Sequence, residues 1–156
     1  MPVKPIPEGY ASVTPYLSIK GAAQAIAFYQ QAFDAVELFR MAAPDEKIGH
    51  AELQIGNTRI MLADSCDQEA FRDPLQLGGS SIGLYLYVAD VDAQFAKALA
   101  AGAREIREPQ DQFYGDRTGT LADPFGHIWF LASHVEDLSE EDIARRAQEL
   151  FQQADI

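Results

Sequence analysis

Hydrophobic and polar positions along this chain alternate with two different periods, and the order of those periods occurs twice. Residues 13–19 have a period of two, with Val13, Leu17 and Ile19 on one face and Thr14, Tyr16 and Ser18 on the other, which predicts a half-buried strand. Gly21 interrupts it, and Ile26, Tyr29 and Phe33 then stand at helical spacing over residues 22–33. A short strand follows at 36–41, a turn cluster at 44–47, and an alternating strand at 50–55 with Ala51, Leu53 and Ile55 opposed to His50, Glu52 and Gln54. Gly56-Asn57 is a tight hairpin turn into a strand at 58–63.

The second copy begins about 69 residues later, and it repeats the pattern with few identities. Residues 82–88 alternate, with Leu84, Leu86 and Val88 opposed to Gly83, Tyr85 and Tyr87. Asp90 is an N-cap and Gly102 a C-terminal glycine for a helix over 91–101. Strands follow at 104–107, 117–121 and 128–133, with a loop over 108–116 and a turn at Asp123-Pro-Phe-Gly126. The expected architecture is one α+β domain over 1–156. It consists of two βαβββ modules (12–63 and 82–133), forming paired curved mixed sheets around a central cleft. Between them, 64–81 is a connection with turn signals at Asp73-Pro74 and Gly78-Gly79. Ser139-Glu-Glu-Asp142 starts a last helix over 139–152, whose stripe of Ile143, Ala147, Leu150 and Phe151 needs a surface to bury against. A homodimer is the expected answer.

Composition narrows the partners. The chain has 156 residues, 47% of them hydrophobic, enough for one sizeable core. Twelve basic against twenty-four acidic residues give a net charge of −12, which repels phosphate backbones and anionic lipid; nucleic acid and membrane partners are not expected. Residues 1–9 lack a basic start followed by an apolar run and read as an extended, proline-stiffened arm. The single cysteine, Cys66, cannot form an intrachain disulfide, so a reducing cytoplasm is the expected location. No basic partner near it in sequence marks it as a nucleophile.

Strand parity gathers the candidate chemistry. Tyr16, Tyr85, Tyr87 and Phe130, with Thr14, Thr118 and Thr120, fall on the faces opposite Leu17, Leu53, Leu84, Leu86, Trp129 and Leu131. Aromatic rings interleaved with hydroxyls suit a cavity for a small planar or amphipathic organic molecule, and they also suit plain core. His50 and Glu52, two apart on a strand, share that face and are the candidate catalytic or orienting pair. Tyr114 and Arg117 close the loop before the strand at 117–121. Arg117 is either an anchor for an oxyanion or an ion-pair partner of Asp116 or Asp111. His127, in the turn, is expected to be structural.

The repeated βαβββ order, Ala25-Ile-Ala-Phe-Tyr29 in the first helix, and Asp123-Pro-Phe-Gly-His-Ile-Trp129 before the last strand resemble the vicinal-oxygen-chelate superfamily. This is the group of glyoxalase I, bleomycin-resistance proteins and extradiol dioxygenases. Val13-Thr-Pro-Tyr-Leu17, His50-Ala-Glu52, Met61-Leu-Ala-Asp64 and Tyr114-Gly-Asp-Arg117 are similar to its PhnB-like branch. The resemblance implies a small-molecule-binding protein. It also leaves open a metal-dependent lyase, isomerase or dioxygenase acting on a vicinal-oxygen substrate, or a protein that sequesters a drug or toxin. Metal-using members place one ligand on each of four strands, and those positions fall on Thr14, Glu52, Gly83 and Phe130. Only Glu52 is a good donor, so no cofactor is expected there. If a divalent metal is used at all, the alternative set is His50, Glu52 and His134.

Overall fold

The computed structural model describes residues 2–66 and 70–154. Its elements are β1 (Tyr16–Ile19), α1 (Ala22–Phe33), β2 (Val36–Ala42), β3 (Ile48–Ile55), β4 (Thr58–Asp64), α2 (Pro74–Leu77), β5 (Gly83–Tyr87), α3 (Val91–Ala101), β6 (Arg104–Asp111), β7 (Asp116–Ala122), β8 (Ile128–His134) and α4 (Glu140–Ala154). Two four-stranded mixed sheets result, in the orders β1-β4-β3-β2 and β5-β8-β7-β6. Each carries one parallel pair (β1 with β4, β5 with β8) and two antiparallel pairs, so the sequence repeat is a repeat of topology.

The helices lie where the leucine faces point. Leu17, Leu53 and Leu62 of the first sheet, and Trp129, Leu131 and Leu121 of the second, join α1 and α3 in one core. The two helices pack against each other, and no strand of one sheet packs broadly on a strand of the other. Tyr29 and Phe33 of α1 bring their rings to 5.4 and 4.4 Å from Trp129 of β8.

Asp123 locks this joint. Its Oδ2 accepts from the Tyr29 hydroxyl at 2.6 Å and from Trp129 Nε1 at 2.9 Å. Its Oδ1 accepts the backbone N–H groups of Phe125 and His127 at 2.9 and 3.0 Å. His127 Nε2 lies 3.0 Å from the Ser18 carbonyl oxygen, the structural role expected for it.

Local chemistry explains most element ends. Gly21 takes φ +95°, and the amides of Gly21 and Ala22 donate to Asp64 Oδ1 at 3.0 Å, so the end of β4 caps α1. Asp90 and Gly102 bound α3 as expected. Three expectations shift. The strand expected from residue 13 starts at Tyr16; Pro15, which has no amide hydrogen, stands just before it. The connection contains α2, because Asp73 forms a capping box with Gln76, with Pro74 at the first helical position. Half of the 108–116 loop is strand: β6 runs on to Asp111 through two register irregularities opposite β7. No described helix is long and apolar enough to cross a membrane.

Candidate functional site

The faces turned away from the helices carry the residues singled out by parity. On the first sheet, Tyr16, Met61, Glu52 and Phe39 form one cross-strand row. On the second, Tyr85, Phe130, Thr120 and Arg107 form the matching row. Most of each face is open, and the N-terminal arm meets only the Glu52 end of the first. Tyr16 is 41% exposed, Phe39 49%, Tyr85 44% and Tyr87 60%, values far from those of core residues.

The first face is organised around His50 and Glu52. The Tyr16 hydroxyl is 2.7 Å from His50 Nδ1, and His50 Nε2 is 3.9 Å from Glu52 Oε1. Glu52 accepts a hydrogen bond from the hydroxyl of Tyr10, a residue of the N-terminal arm that parity does not reach. Partial burial, and then the Glu52 charge, raise the Tyr16 phenol above its ordinary pKa. Thr14 lies before β1, half-buried, with its hydroxyl directed to the Ala11 carbonyl oxygen at 3.5 Å.

The second face is organised around Asp116, which sequence reading placed only beside Arg117. Asp116 is 4% exposed, and its Oδ2 accepts from both Tyr85 and Tyr87 hydroxyls at 2.8 Å. Its Oδ1 meets His134 Nδ1 at 2.8 Å, and His134 Nε2 meets Asp137 at 2.7 Å. Burial works against the Asp116 charge, yet the bonds from His134, Tyr85 and Tyr87 outweigh it and hold the carboxyl below its usual range. Burial, then Asp116, then Tyr114 push the Tyr85 phenol upward, so it stays a donor. Thr118, of the same parity as Asp116, is buried, while Thr120 and Phe130 are half-buried on this face. The signal for Asp116 was available, since it stands two residues before Thr118.

Arg117 needs a correction. It pairs with Ser133, a helix-face position of β8, so its side chain leaves on the helix side. There it binds Asp92 of α3 through Nε and Nη2, at 2.9 and 3.0 Å, and Asp111 at 3.2 Å. The oxyanion-anchor alternative fails on geometry, because adjacent strand residues point to opposite faces and Thr118 already takes the open one. The ion pair is made, with Asp92 as an additional partner and Asp116 facing away. His134 is likewise on the second sheet and committed to Asp116 and Asp137. No group of three His, Cys, Asp or Glu side chains among the described residues is placed to hold a metal ion.

The four positions implied for metal ligands are also mismatched in shape. A Cβ on Gly83 would stand 2.3 Å from the Phe130 ring, so that ring occupies the space a ligand side chain at 83 would need. With Glu52 the one good donor among the four, these positions do not fit a divalent ion.

The Asp116 network fixes a pH expectation. Hydrogen bonds to Asp116 and then to Asp137 raise the His134 pKa above 6.5. The stabilisation from protonated His134 is therefore complete below about pH 6.5 and is lost as pH rises through the elevated folded value. Asp116 has the opposite sign: its contribution is present above its ordinary value and fades as pH falls through the depressed one. The melting temperature should decline on the alkaline side of that window, modestly, since solvent screens the half-exposed imidazole. The matching decline should be absent in His134→Gln; an identical profile in the variant would remove the assignment.

Comparison with known proteins agrees with this architecture. The model of the Glyoxalase/Bleomycin resistance protein/Dioxygenase superfamily matches residues 12–131. An uncharacterised protein of Mycobacterium bovis is 44% identical over 135 residues, covering 85% of this chain and 89% of that protein. Among solved structures, TioX from Micromonospora sp. ML1 superposes with a TM-score of 0.62 at 24% identity, over 83% of this chain and 100% of TioX. The PhnB protein of Bacillus cereus superposes with a TM-score of 0.62 at 20% identity, over 79% of this chain and 99% of that one, which shows the same fold.

Proposed function

Since the chain belongs to the glyoxalase, bleomycin resistance protein and dioxygenase superfamily, we propose that it is a cytoplasmic binding protein for a small organic molecule, working as a homodimer and without a resident metal. The observation that carries this reading is the pair of largely open aromatic faces, each with its hydroxyls held by a carboxylate or imidazole. Rings held in place by hydrogen bonds present a preorganised stacking surface, which lowers the ordering cost of binding. The Phe130 ring seated over Gly83 supports binding by stacking and counts against coordination chemistry.

A second copy supplies what one chain lacks. The helices take up the space between the two sheets, so the Glu52 face and the Tyr85 face of one chain do not cover each other. Apposing the Glu52 face of one copy to the Tyr85 face of another would close a cavity. β1 and β5 are edge strands with one neighbour each, and an apolar recess of about 540 Å³ beside them is lined by Val13, Phe71, Leu77 and Ile82. Val13 is 85% and Ile82 71% exposed. The amphipathic α4 buries no residue in the chain, leaving Leu150 and Phe151 exposed for the same purpose. Light scattering should give twice the chain mass at micromolar concentration, and Ile82→Asp should lower it toward the monomer. A monomer in the unsubstituted protein would remove the dimer reading. A screen of small aromatic compounds by calorimetry should yield ligands sensitive to Glu52→Gln and Tyr85→Ala; ligands insensitive to both would place the working site elsewhere.

A further inference from the structure

The N-terminal arm fills the Glu52 end of the open face with a phenol. The arm turns at residues 7–10, where the Tyr10 amide donates to the Pro7 carbonyl oxygen at 3.1 Å. The Tyr10 hydroxyl donates to Glu52 Oε1. Arg59 covers the ring, with its guanidinium carbon 4.9 Å from the centroid. Arg59 Nη1 donates to the Glu8 carbonyl oxygen at 3.3 Å, and its Nε is buried with no hydrogen-bond partner among the described residues. The guanidinium charge meeting the π-face of the ring offsets part of the cost of burying that N–H.

The backbone is shaped for this contact. Gly9 has φ +86°, and a Cβ there would stand 2.5 Å from Arg59 Cζ. That φ strains any L residue, a β-branched one most, and a Cβ would force the arm and the guanidinium apart. On the sheet, Glu52 lies opposite Met61, and Arg59 is two residues along β4 on the same face. Met61 lines a recess of about 210 Å³ with Pro5, Pro7, Tyr10 and Thr14.

A carboxylate that accepts a hydroxyl, beside a guanidinium that covers the ring, is a two-point receptor. An anionic head group in place of the phenol would meet the Glu52 charge. An aliphatic cation would meet Arg59. A neutral aromatic hydroxyl satisfies both. We infer that Glu52 and Arg59 form a phenol-recognising subsite, that Tyr10 is its built-in occupant, and that free ligands carry an aromatic hydroxyl that replaces Tyr10. This inference rests on the binding reading above and adds the ligand class and a competitor to it. Because the arm is tethered, its phenol is present at high effective concentration and weakens the apparent affinity of any free phenol.

The test uses p-cresol, the tyrosine side chain as a free molecule, titrated calorimetrically into the full-length protein. Tyr10→Phe leaves Glu52 without its hydroxyl, and Gly9→Val displaces the arm from Arg59. Each should bind p-cresol about tenfold more tightly than the unsubstituted chain, the scale of a hydrogen bond to a charged group. Adding Glu52→Gln to Tyr10→Phe should cancel the gain, and toluene, which lacks the hydroxyl, should show none. Equal p-cresol affinity across the set, an equal gain for toluene, or no p-cresol binding to the arm variants would each overturn the inference. A screened ligand that depends on Tyr85 but is indifferent to both arm substitutions would also overturn it, while leaving the binding reading intact. The absence of any ligand dependent on Tyr85 or Glu52 would remove both.

Discussion

Asp123→Ala should destabilise the protein by about 3–5 kcal/mol, a large share of the stability of a domain this size. The carboxylate is 4% exposed and accepts four hydrogen bonds, from Tyr29, Trp129 and two turn amides. Removing it strands four buried donors at once, and a buried donor without a partner costs far more than a bond lost at the surface. The damage falls on the joint between modules, because Tyr29 belongs to α1, the two amides to the turn before β8, and Trp129 to β8. Tyr29→Phe deletes one of the four bonds and should cost about 1–2 kcal/mol. Urea denaturation followed by tryptophan fluorescence is a suitable readout, since Trp129 is itself a partner. A loss below about 1 kcal/mol for Asp123→Ala would mean that water replaces the carboxylate and that the joint is held by packing alone.

Tyr85→Ala should weaken a ligand bound at the cleft by about five- to a hundredfold, corresponding to roughly 1–3 kcal/mol for one stacked ring, with the fold retained. The ring is stacked on Phe130 at 6.0 Å and an interplanar angle of 17°, and its hydroxyl is held by Asp116, so a ligand meets a fixed surface. Glu52→Gln keeps the shape and removes the charge, and should lower affinity for a ligand that donates to that oxygen. Mixing the two variants tests where the site is built. If the Glu52 face of one copy meets the Tyr85 face of the other, random reassociation restores about a quarter of the sites, since each mixed dimer joins one intact face of each kind. If both faces serve one site within a chain, mixing restores none.

The repeated βαβββ order, the helix-facing leucines and the open faces bearing Tyr16, Glu52, Tyr85 and Phe130 were all legible in the sequence. Strand and helix periodicities state which side of an element is buried, and the topology repeat follows from their order. The tertiary structure decided everything that depends on which distant groups meet. Arg117 had two acidic candidates near it along the chain, Asp116 and Asp111. Its real partner beyond Asp111 is Asp92, brought near by α3 packing on β7. Asp116 became the hub of Tyr85, Tyr87 and His134 because β8 pairs with β7 on one side and with β5 on the other. Asp123, legible only as a turn residue, became the lock between modules once α1 crossed to Trp129. Tyr10 lies in a segment with no period, so nothing local marks it as the partner of Glu52. Periodicity is a property of neighbours in sequence and fixes faces. Hydrogen-bond partnership is a property of neighbours in space, and only the packing of α1 against α3, and of the arm against β3 and β4, assigns it.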